Sequence, residues 1–302
     1  MSRATYTPAT RTPPRAPRLR FGRTPVRSPL GRAVVRHAML LTVIAIMLYP
    51  LFWMVGASFR PNNEVFTTLG IWPSNFTLDN YTEGWTSGQF SFSRYFLNSL
   101  VITGLSVVGN VVACMLAAYA FARLDFPFKR VLFAIMLGTL LLPYHVTLVP
   151  QYIMFSELQW INTILPLVIP KFLATDAFFI FLMVQFIRVL PREMDDAARI
   201  DGCGYWGIFR RIIVPLSLPA MGTVAMFTFI FTWNDFLGPL LYLSRPDMWT
   251  VAQGLNNFVD ATGQSAFGPL LAMATLSIAP IVGFFLVTQR LLVEGIATSG
   301  LK

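Results

Sequence analysis

Charged residues are scarce in this chain, and their scarcity excludes most soluble proteins. Asp, Glu, Lys and Arg make up 12% of the 302 residues, whereas 55% are hydrophobic. Soluble domains carry roughly 25% charged residues. Several uncharged runs also reach about 20 residues, which is the length that spans a bilayer as a helix. The composition therefore predicts an all-α membrane protein with several spans.

Residues that catalyse reactions or bind metals and nucleotides are also few. The chain has two Cys and two His, without the spacing of a metal site. The lysines Lys129, Lys171 and Lys302 do not follow the glycines of a phosphate-binding loop, Gly-x-x-x-x-Gly-Lys-Ser/Thr. His-Glu-x-x-His and Gly-x-Ser-x-Gly are absent as well. We therefore predict no catalytic residue, no metal site and no cofactor bound by this chain.

The net charge of +9 is concentrated near the N-terminus. Residues 1–37 contain nine Arg and no acidic residue, and the rest of the chain is balanced. A segment rich in Arg and Pro has little apolar surface to bury, so residues 1–36 are predicted to be a disordered cytoplasmic tail. This tail either lies on anionic lipid or stays solvated. Because the excess positive charge comes from this segment alone, it argues against a nucleic-acid-binding protein. The remaining residues, 37–302, are predicted to form a membrane domain.

Uncharged runs predict six membrane spans in that domain. They cover approximately residues 34–59, 94–122, 131–155, 165–187, 212–243 and 267–292. With the N-terminus inside, most of the 23 basic residues fall in inside segments, and only Arg60 and Arg245 fall in outside loops. Because Lys and Arg favour the cytoplasmic side, both termini and the polar segment 190–211 are predicted to be cytoplasmic.

A few polar side chains fall inside the predicted spans. His145, Asn234 and Asp235 are candidates for a solute path, because polar groups are costly in a span unless they line a cavity. The alternative is structural: His145 then serves a helix kink, and the Asn-Asp pair serves helix packing. Lys171 and Asp176 are five residues apart in a predicted helix, so they need not pair with each other.

The longest polar interval of the second half covers residues 190–211. Glu193, Asp195 and Asp196 suit the first turn of a helix, where the helix dipole favours negative charge. Gly202 is a typical helix end. Apolar residues at helical spacing between positions 205 and 212 predict a second short helix. The interval is therefore predicted to form a bent pair of helices that needs a partner.

The sequence of this interval resembles the EAA loop of binding-protein-dependent ABC importers. That loop reads Glu-Ala-Ala, three residues, Gly, nine residues and Ile-x-Leu-Pro. The matching residues are Asp196-Ala197-Ala198, Gly202 and Ile212-Ile213-Val214-Pro215. Asp replaces Glu and Val replaces Leu. Asp201 and Pro219 make the segment similar to the carbohydrate (maltose-type) branch, and the resemblance covers about residues 93–302.

The resemblance implies a type I ABC importer permease fold with its core at about residues 93–292. It also implies a sugar or sugar-like solute and a bacterial or archaeal cytoplasmic membrane. The implied partners are a second homologous permease, an extracytoplasmic solute-binding protein and two ATPase subunits, which bind ATP and Mg. The implied ATPase-coupling residues are Glu193, Asp196, Ala197, Ala198, Asp201, Gly202, Phe209 and Pro215. In this interpretation, Ala197 and Ala198 together pack into an ATPase cleft.

Two other classes of function remain open from the residues alone. One is a membrane-embedded enzyme or assembly scaffold whose pocket holds His145 and Asp235. The other is a stand-alone secondary transporter.

Overall fold

The computed structural model describes residues 29–67, 70–259 and 266–299, and within these ranges the chain is helical and contains no β-strand. The α-helices of this described part are α1 (Pro29–Ala57), α2 (Asp79–Thr86), α3 (Phe92–Arg123), α4 (Lys129–Thr139), α5 (Tyr144–Glu157), α6 (Leu165–Phe172), α7 (Ala177–Val189), α8 (Glu193–Ile200), α9 (Tyr205–Ile208), α10 (Val214–Leu216), α11 (Leu218–Trp233), α12 (Leu237–Tyr242), α13 (Val251–Asn256) and α14 (Phe267–Ser299). One π-helical turn, Phe209–Ile213, joins α9 to α10.

The first helix begins earlier than the composition predicts. α1 starts at Pro29, so residues 29–36, which we assigned to the basic tail, are helical. Proline suits this position because the first N–H groups of a helix have no partner within the helix. The rest of the predicted tail, residues 1–28, lies outside the described residues.

Two compact units make up the chain, and they divide after Pro50. In the first unit, the described residues are the part of α1 that ends at Pro50, and the side chains from residue 34 to Pro50 are exposed and mostly apolar. The second unit, Leu51–Lys302, contains the end of α1 and all other helices.

Six predicted spans correspond to four long apolar helical segments and two bent helix pairs. The long segments are Ala33–Ala57, Phe92–Arg123, Leu165–Val189 and Phe267–Leu291. In the third predicted span, α4 and α5 meet at 101°, and Pro143 precedes α5. In the fifth, Tyr205–Leu216 and Leu218–Trp233 meet at 72°. Proline explains both bends, because it lacks an N–H and disfavours helical geometry in the residue before it.

The fifth predicted span also ends sooner than expected. α11 stops at Trp233 and the chain resumes as α12 at Leu237, so the apolar run to residue 243 is not one helix. The break places Asn234 and Asp235 between two helices. Backbone that leaves a helix at membrane depth is tolerated where it is buried in protein or lines a cavity.

Helix α3 is the centre of the second unit. It packs against α6, α7 and α11. The side-chain N–H of Asn110 on α3 donates to Oγ1 of Thr228 on α11 at 2.8 Å, and both residues are buried. A Cβ at Gly109 would lie 2.5 Å from a ring carbon of Phe172, so glycine allows α3 and α6 to approach closely.

Candidate functional site

The polar loop, which we define as residues 190–211, contains the predicted pair of short helices. α8 carries acidic residues in its first turn and ends at Ile200, and Gly202 follows with a φ of +81°. An added Cβ at Gly202 would meet no atom within 4 Å. Glycine is therefore required here for backbone conformation and not for space, since this φ strains residues that have a side chain.

Ala197 and Ala198 lie in different environments, which corrects the prediction that they form one patch. Ala198 is 7% exposed and packs into the apolar cluster beneath the loop, whereas Ala197 is exposed. Adjacent residues of a helix point in directions about 100° apart, and here that separation turns Ala198 toward the bundle and Ala197 away from it. The exposed apolar face of α8 consists of Met194, Ala197 and Ile200, and Ile200 is 87% exposed.

The second helix of the loop packs on the bundle with a shifted register. Ile208 and Phe209 are buried as expected, but Tyr205 is 63% exposed and Ile213, in place of Ile212, is fully buried. The π-helical turn Phe209–Ile213 explains why Ile213 is buried in place of Ile212, because it inserts an extra residue and rotates the residues that follow. The other predicted coupling residues are exposed: Glu193, Asp196, Asp201 and Pro215.

Two side chains of α3 hold this loop, and sequence reasoning missed both. Nε of Arg123 lies 3.2 Å from Oδ2 of Asp195, and its Nη2 donates to the carbonyl oxygen of Leu190 at 2.7 Å. The hydroxyl of Tyr119 donates to the carbonyl oxygen of Tyr205 at 2.9 Å. Arg123 stands at the end of an apolar run, where a basic residue also sets the orientation of the chain in the membrane. Nothing in the neighbouring sequence therefore indicates that Asp195 is its partner.

A polar cavity of about 240 Å³ lies in the second unit, away from the loop. Its polar lining residues come from several helices and connections: Ser99, Thr103, Tyr144, Lys171, Thr232, Asp235 and Thr250. Asp235 accepts a hydrogen bond from the backbone N–H of Gly238 at 3.1 Å. A Cβ at Gly238 would lie 2.5 Å from Oδ2 of Asp235, so glycine is needed for this turn.

Only one of the three predicted path residues lines the cavity. Asp235 does, whereas Asn234 is exposed and donates its side-chain N–H to the carbonyl oxygen of Ile230 at 2.8 Å. His145 is exposed, and its neighbour Tyr144 lines the cavity instead. Thr103 is 1% exposed, and its hydroxyl has no hydrogen-bond partner in the part of the chain that the structure describes.

Lys171 and Asp176 form an ion pair, contrary to our expectation that they need not pair. Nζ of Lys171 lies 2.9 Å from Oδ2 of Asp176. The expectation was wrong because it assumed one continuous helix. α6 ends at Phe172 and α7 begins at Ala177, and the turn between them contains Ala174 at a φ of +54°. The paired Lys171 ammonium lines the cavity.

Comparisons with known proteins agree on one family. The model for binding-protein-dependent transport system inner membrane components matches residues 109–297. The chain is 34% identical to the probable ABC transporter permease protein YurM of Bacillus subtilis (strain 168), over 90% of this chain and 89% of YurM. It is 34% identical to the arabinooligosaccharides transport system permease protein AraQ of Halalkalibacterium halodurans, over 85% and 92% of the two chains. It is 31% identical to the sn-glycerol-3-phosphate transport system permease protein UgpE of Salmonella typhi, over 89% and 97%.

A solved structure has the same fold. The chain superimposes on a chain of the crystal structure of a bacterial ABC transporter involved in the import of the acidic polysaccharide alginate, with a TM-score of 0.75. The match covers 88% of this chain and 99% of that chain at 21% sequence identity. A likeness at this identity shows the fold and carries no information about the solute.

Proposed function

Because the chain belongs to the family of binding-protein-dependent transport system inner membrane components, we propose that its polar loop couples a partner ATPase to the movement of a solute. Membership of this family confirms the permease role and the type I ABC importer permease fold that the resemblance implied. The chain is a multi-pass membrane subunit of a binding-protein-dependent importer, and not an enzyme in itself. It is therefore not a stand-alone transporter or a scaffold.

The exposed apolar face of α8 carries the coupling proposal. Met194 and Ile200 are large apolar side chains that protrude from α8, whose other exposed residues are charged apart from the small Ala197 between them. An exposed apolar patch with a polar surround is typical of a protein interaction site. We assign this face to a cleft in the ATPase, and Glu193, Asp196 and Asp201 to the polar rim of the contact. Gly202 provides the bend and the buried Phe209 attaches the loop to the bundle, whereas Pro215 lies at the exposed surface of α10.

The remaining partners follow from the importer class. We expect a second homologous permease, two ATPase subunits that bind ATP and Mg, and an extracytoplasmic solute-binding protein. The chain would sit in a cytoplasmic membrane with both termini and the polar loop inside, as the distribution of basic residues indicates.

A sugar or sugar-like solute is the proposed cargo, and the polar cavity is its proposed path. The cavity offers hydroxyls, an ammonium and a carboxylate, which together can donate to and accept from the hydroxyl groups of a sugar. The names of AraQ and UgpE, which refer to arabinooligosaccharides and sn-glycerol-3-phosphate, support this class. Asp235 is the proposed contact. Asn234 and His145 would contact the solute only where a partner subunit completes the path.

The coupling proposal is tested by co-purification of the ATPase with a tagged chain. Ala197→Arg places a long cation on the docking face and should release the ATPase. Asp125→Arg is the matched control, because Asp125 is an exposed residue of the predicted cytoplasmic loop after α3 and lies outside the polar loop. Retention of the ATPase by Ala197→Arg would contradict the assignment of the docking face.

The solute proposal needs a separate experiment. Deletion of the chain should abolish growth on at least one solute in a panel of sugars and sugar-like compounds that includes arabinooligosaccharides and sn-glycerol-3-phosphate. Asp235→Asn should lower uptake of the same solute without loss of the assembled transporter. A deletion strain that takes up every solute of this panel normally and fails only on peptides or amino acids would overturn the sugar assignment.

A further inference from the structure

We propose that Arg123 and Tyr119, in the last turns of α3, are positioning residues that carry movement of the polar loop to the polar cavity. The proposal rests on the proposed function, because it concerns how an ATPase-driven movement of the loop reaches the solute path. It adds a mechanical link at two residues that lie outside the loop itself.

Arg123 joins three segments of the chain at one buried point. Its guanidinium contacts Asp195 on α8 and the carbonyl oxygen of Leu190, the residue that follows α7. The side chains of Arg123 and Asp195 are 3% and 7% exposed. Of the ion pairs in the described part of the chain, only this one has both side chains so deeply buried. A buried pair resists separation, because removing either partner leaves an uncompensated charge.

Tyr119 provides the second attachment, one turn earlier on the same helix. Its hydroxyl donates to the carbonyl oxygen of Tyr205 at 2.9 Å, at the start of α9. Its ring lies against Phe209 with a centroid separation of 5.1 Å. α3 therefore holds α8 through Arg123 and α9 through Tyr119. With two attachment points on either side of the Gly202 bend, a displacement of the loop displaces the end of α3.

The other end of the link is the cavity. α3 runs without an internal proline from Phe92 to Arg123, and its residues Ser99 and Thr103 line the cavity. Tyr119 lies sixteen positions beyond Thr103, so the helix transmits movement over about 24 Å. A continuous hydrogen-bonded helix is a stiff element over this length.

The alternative covalent route from the loop is less direct. It passes through the π-helical turn Phe209–Ile213 and then through the 72° bend before α11. Bends of this kind absorb displacement, because the hydrogen-bond ladder is interrupted there. The uninterrupted helix α3 is thus better suited than α11 to move the cavity wall as the loop moves.

The experiment measures ATP-driven movement at the cavity without knowledge of the solute. A cysteine is introduced by Thr232→Cys, at a partly exposed position of the cavity wall, after Cys114 and Cys203 are replaced by alanine. The assembled transporter is isolated through a tag on this chain and placed in lipid nanodiscs. The probe is a water-soluble methanethiosulfonate, and its labelling rate is compared with and without Mg-ATP and vanadate. We expect the rate to change by at least about fivefold.

Each test variant breaks one of the two attachment points. Arg123→Gln should abolish the ATP-driven change while the ATPase stays bound. Tyr119→Phe keeps the ring and loses one hydrogen bond, so the change should shrink by about threefold. Tyr95→Phe is the matched control, because Tyr95 lies on the same helix at the opposite end from the loop, and it should leave the change intact.

The outcomes separate this proposal from the docking proposal. A full response in both Arg123→Gln and Tyr119→Phe would overturn the link. A lower yield of complex with an unchanged response in the complex that remains would assign both residues a merely structural role, which also overturns it. If Arg123→Gln does not assemble, Tyr119→Phe decides the question. A failure of the docking proposal is seen in a different variant: Ala197→Arg would then retain its ATPase.

Discussion

Arginine substitutions at the two neighbouring alanines of α8 are both predicted to lose the bound ATPase, but for different reasons. Ala198 is 7% exposed and belongs to the apolar cluster beneath the loop, whereas Ala197 is exposed. Ala198→Arg therefore changes the packing of this chain. Ala197→Arg changes only the surface that we assign to the ATPase.

The magnitudes follow from burial. An overfilled core site costs about 1–3 kcal/mol, and a buried charge without a partner adds roughly 3 kcal/mol or more. Ala198→Arg should thus destabilise the packed loop by about 4 kcal/mol or more, which lowers its population by a factor of about a thousand. Exposed substitutions usually change stability by about 0.5 kcal/mol or less, so Ala197→Arg should leave stability unchanged.

The assay combines thermal stability with ATPase retention. Tm is measured by fluorescence-detected size-exclusion chromatography after heating, and the ATPase is detected in the tagged eluate. Ala198→Arg should lower Tm and lose the ATPase, Ala197→Arg should lose the ATPase at normal Tm, and Asp125→Arg should keep both. A normal Tm for Ala198→Arg would refute the burial argument, and equal Tm losses for both alanine variants would refute the separation of the two faces.

Three further predictions address the bend, the cavity and the topology. Gly202→Val should destabilise the loop by about 1–2 kcal/mol because of the φ of +81° at this position. Gly204→Val should not, since Gly204 has a φ of −74° and open space at its Cβ. Equal Tm values for the two variants would contradict this prediction. Asp235→Asn removes a cavity carboxylate and should lower solute uptake with normal assembly, and loss of assembly instead would favour a packing role. Asn75→Cys should react with an impermeant thiol reagent from outside, and Cys203 only from inside; the reverse labelling would overturn the topology.

Much of the architecture could be predicted because its signals are local. Run length and charge placement predicted the spans, since a helix in lipid needs about 20 apolar residues. Gly202 marked the end of α8 because few other residues adopt its conformation. Proline predicted an interruption at Pro143, although Pro150 lies inside α5 without ending it.

The features that could not be predicted depend on where helices end in three dimensions. Arg123 and Asp195 are far apart in the sequence, and only the packing of α3 against the loop brings them together. Lys171 and Asp176 pair because a turn replaces the helix that we had assumed. The burial of Ala198 depends on the orientation of α8 about its own axis, which the Asp-Ala-Ala pattern does not specify.

Cross-linking from the exposed face of α8 tests the central claim most directly. A photoreactive amino acid replaces Ile200, which is 87% exposed, or Phe209, which is 7% exposed and packs inside the chain. The tagged transporter is irradiated in membranes, and the cross-linked protein is identified by mass spectrometry. We predict that position 200 captures a protein that contains Gly-x-x-x-x-Gly-Lys-Ser/Thr and that position 209 does not. An actively transporting complex in which position 200 captures no such protein would contradict the coupling role of the polar loop.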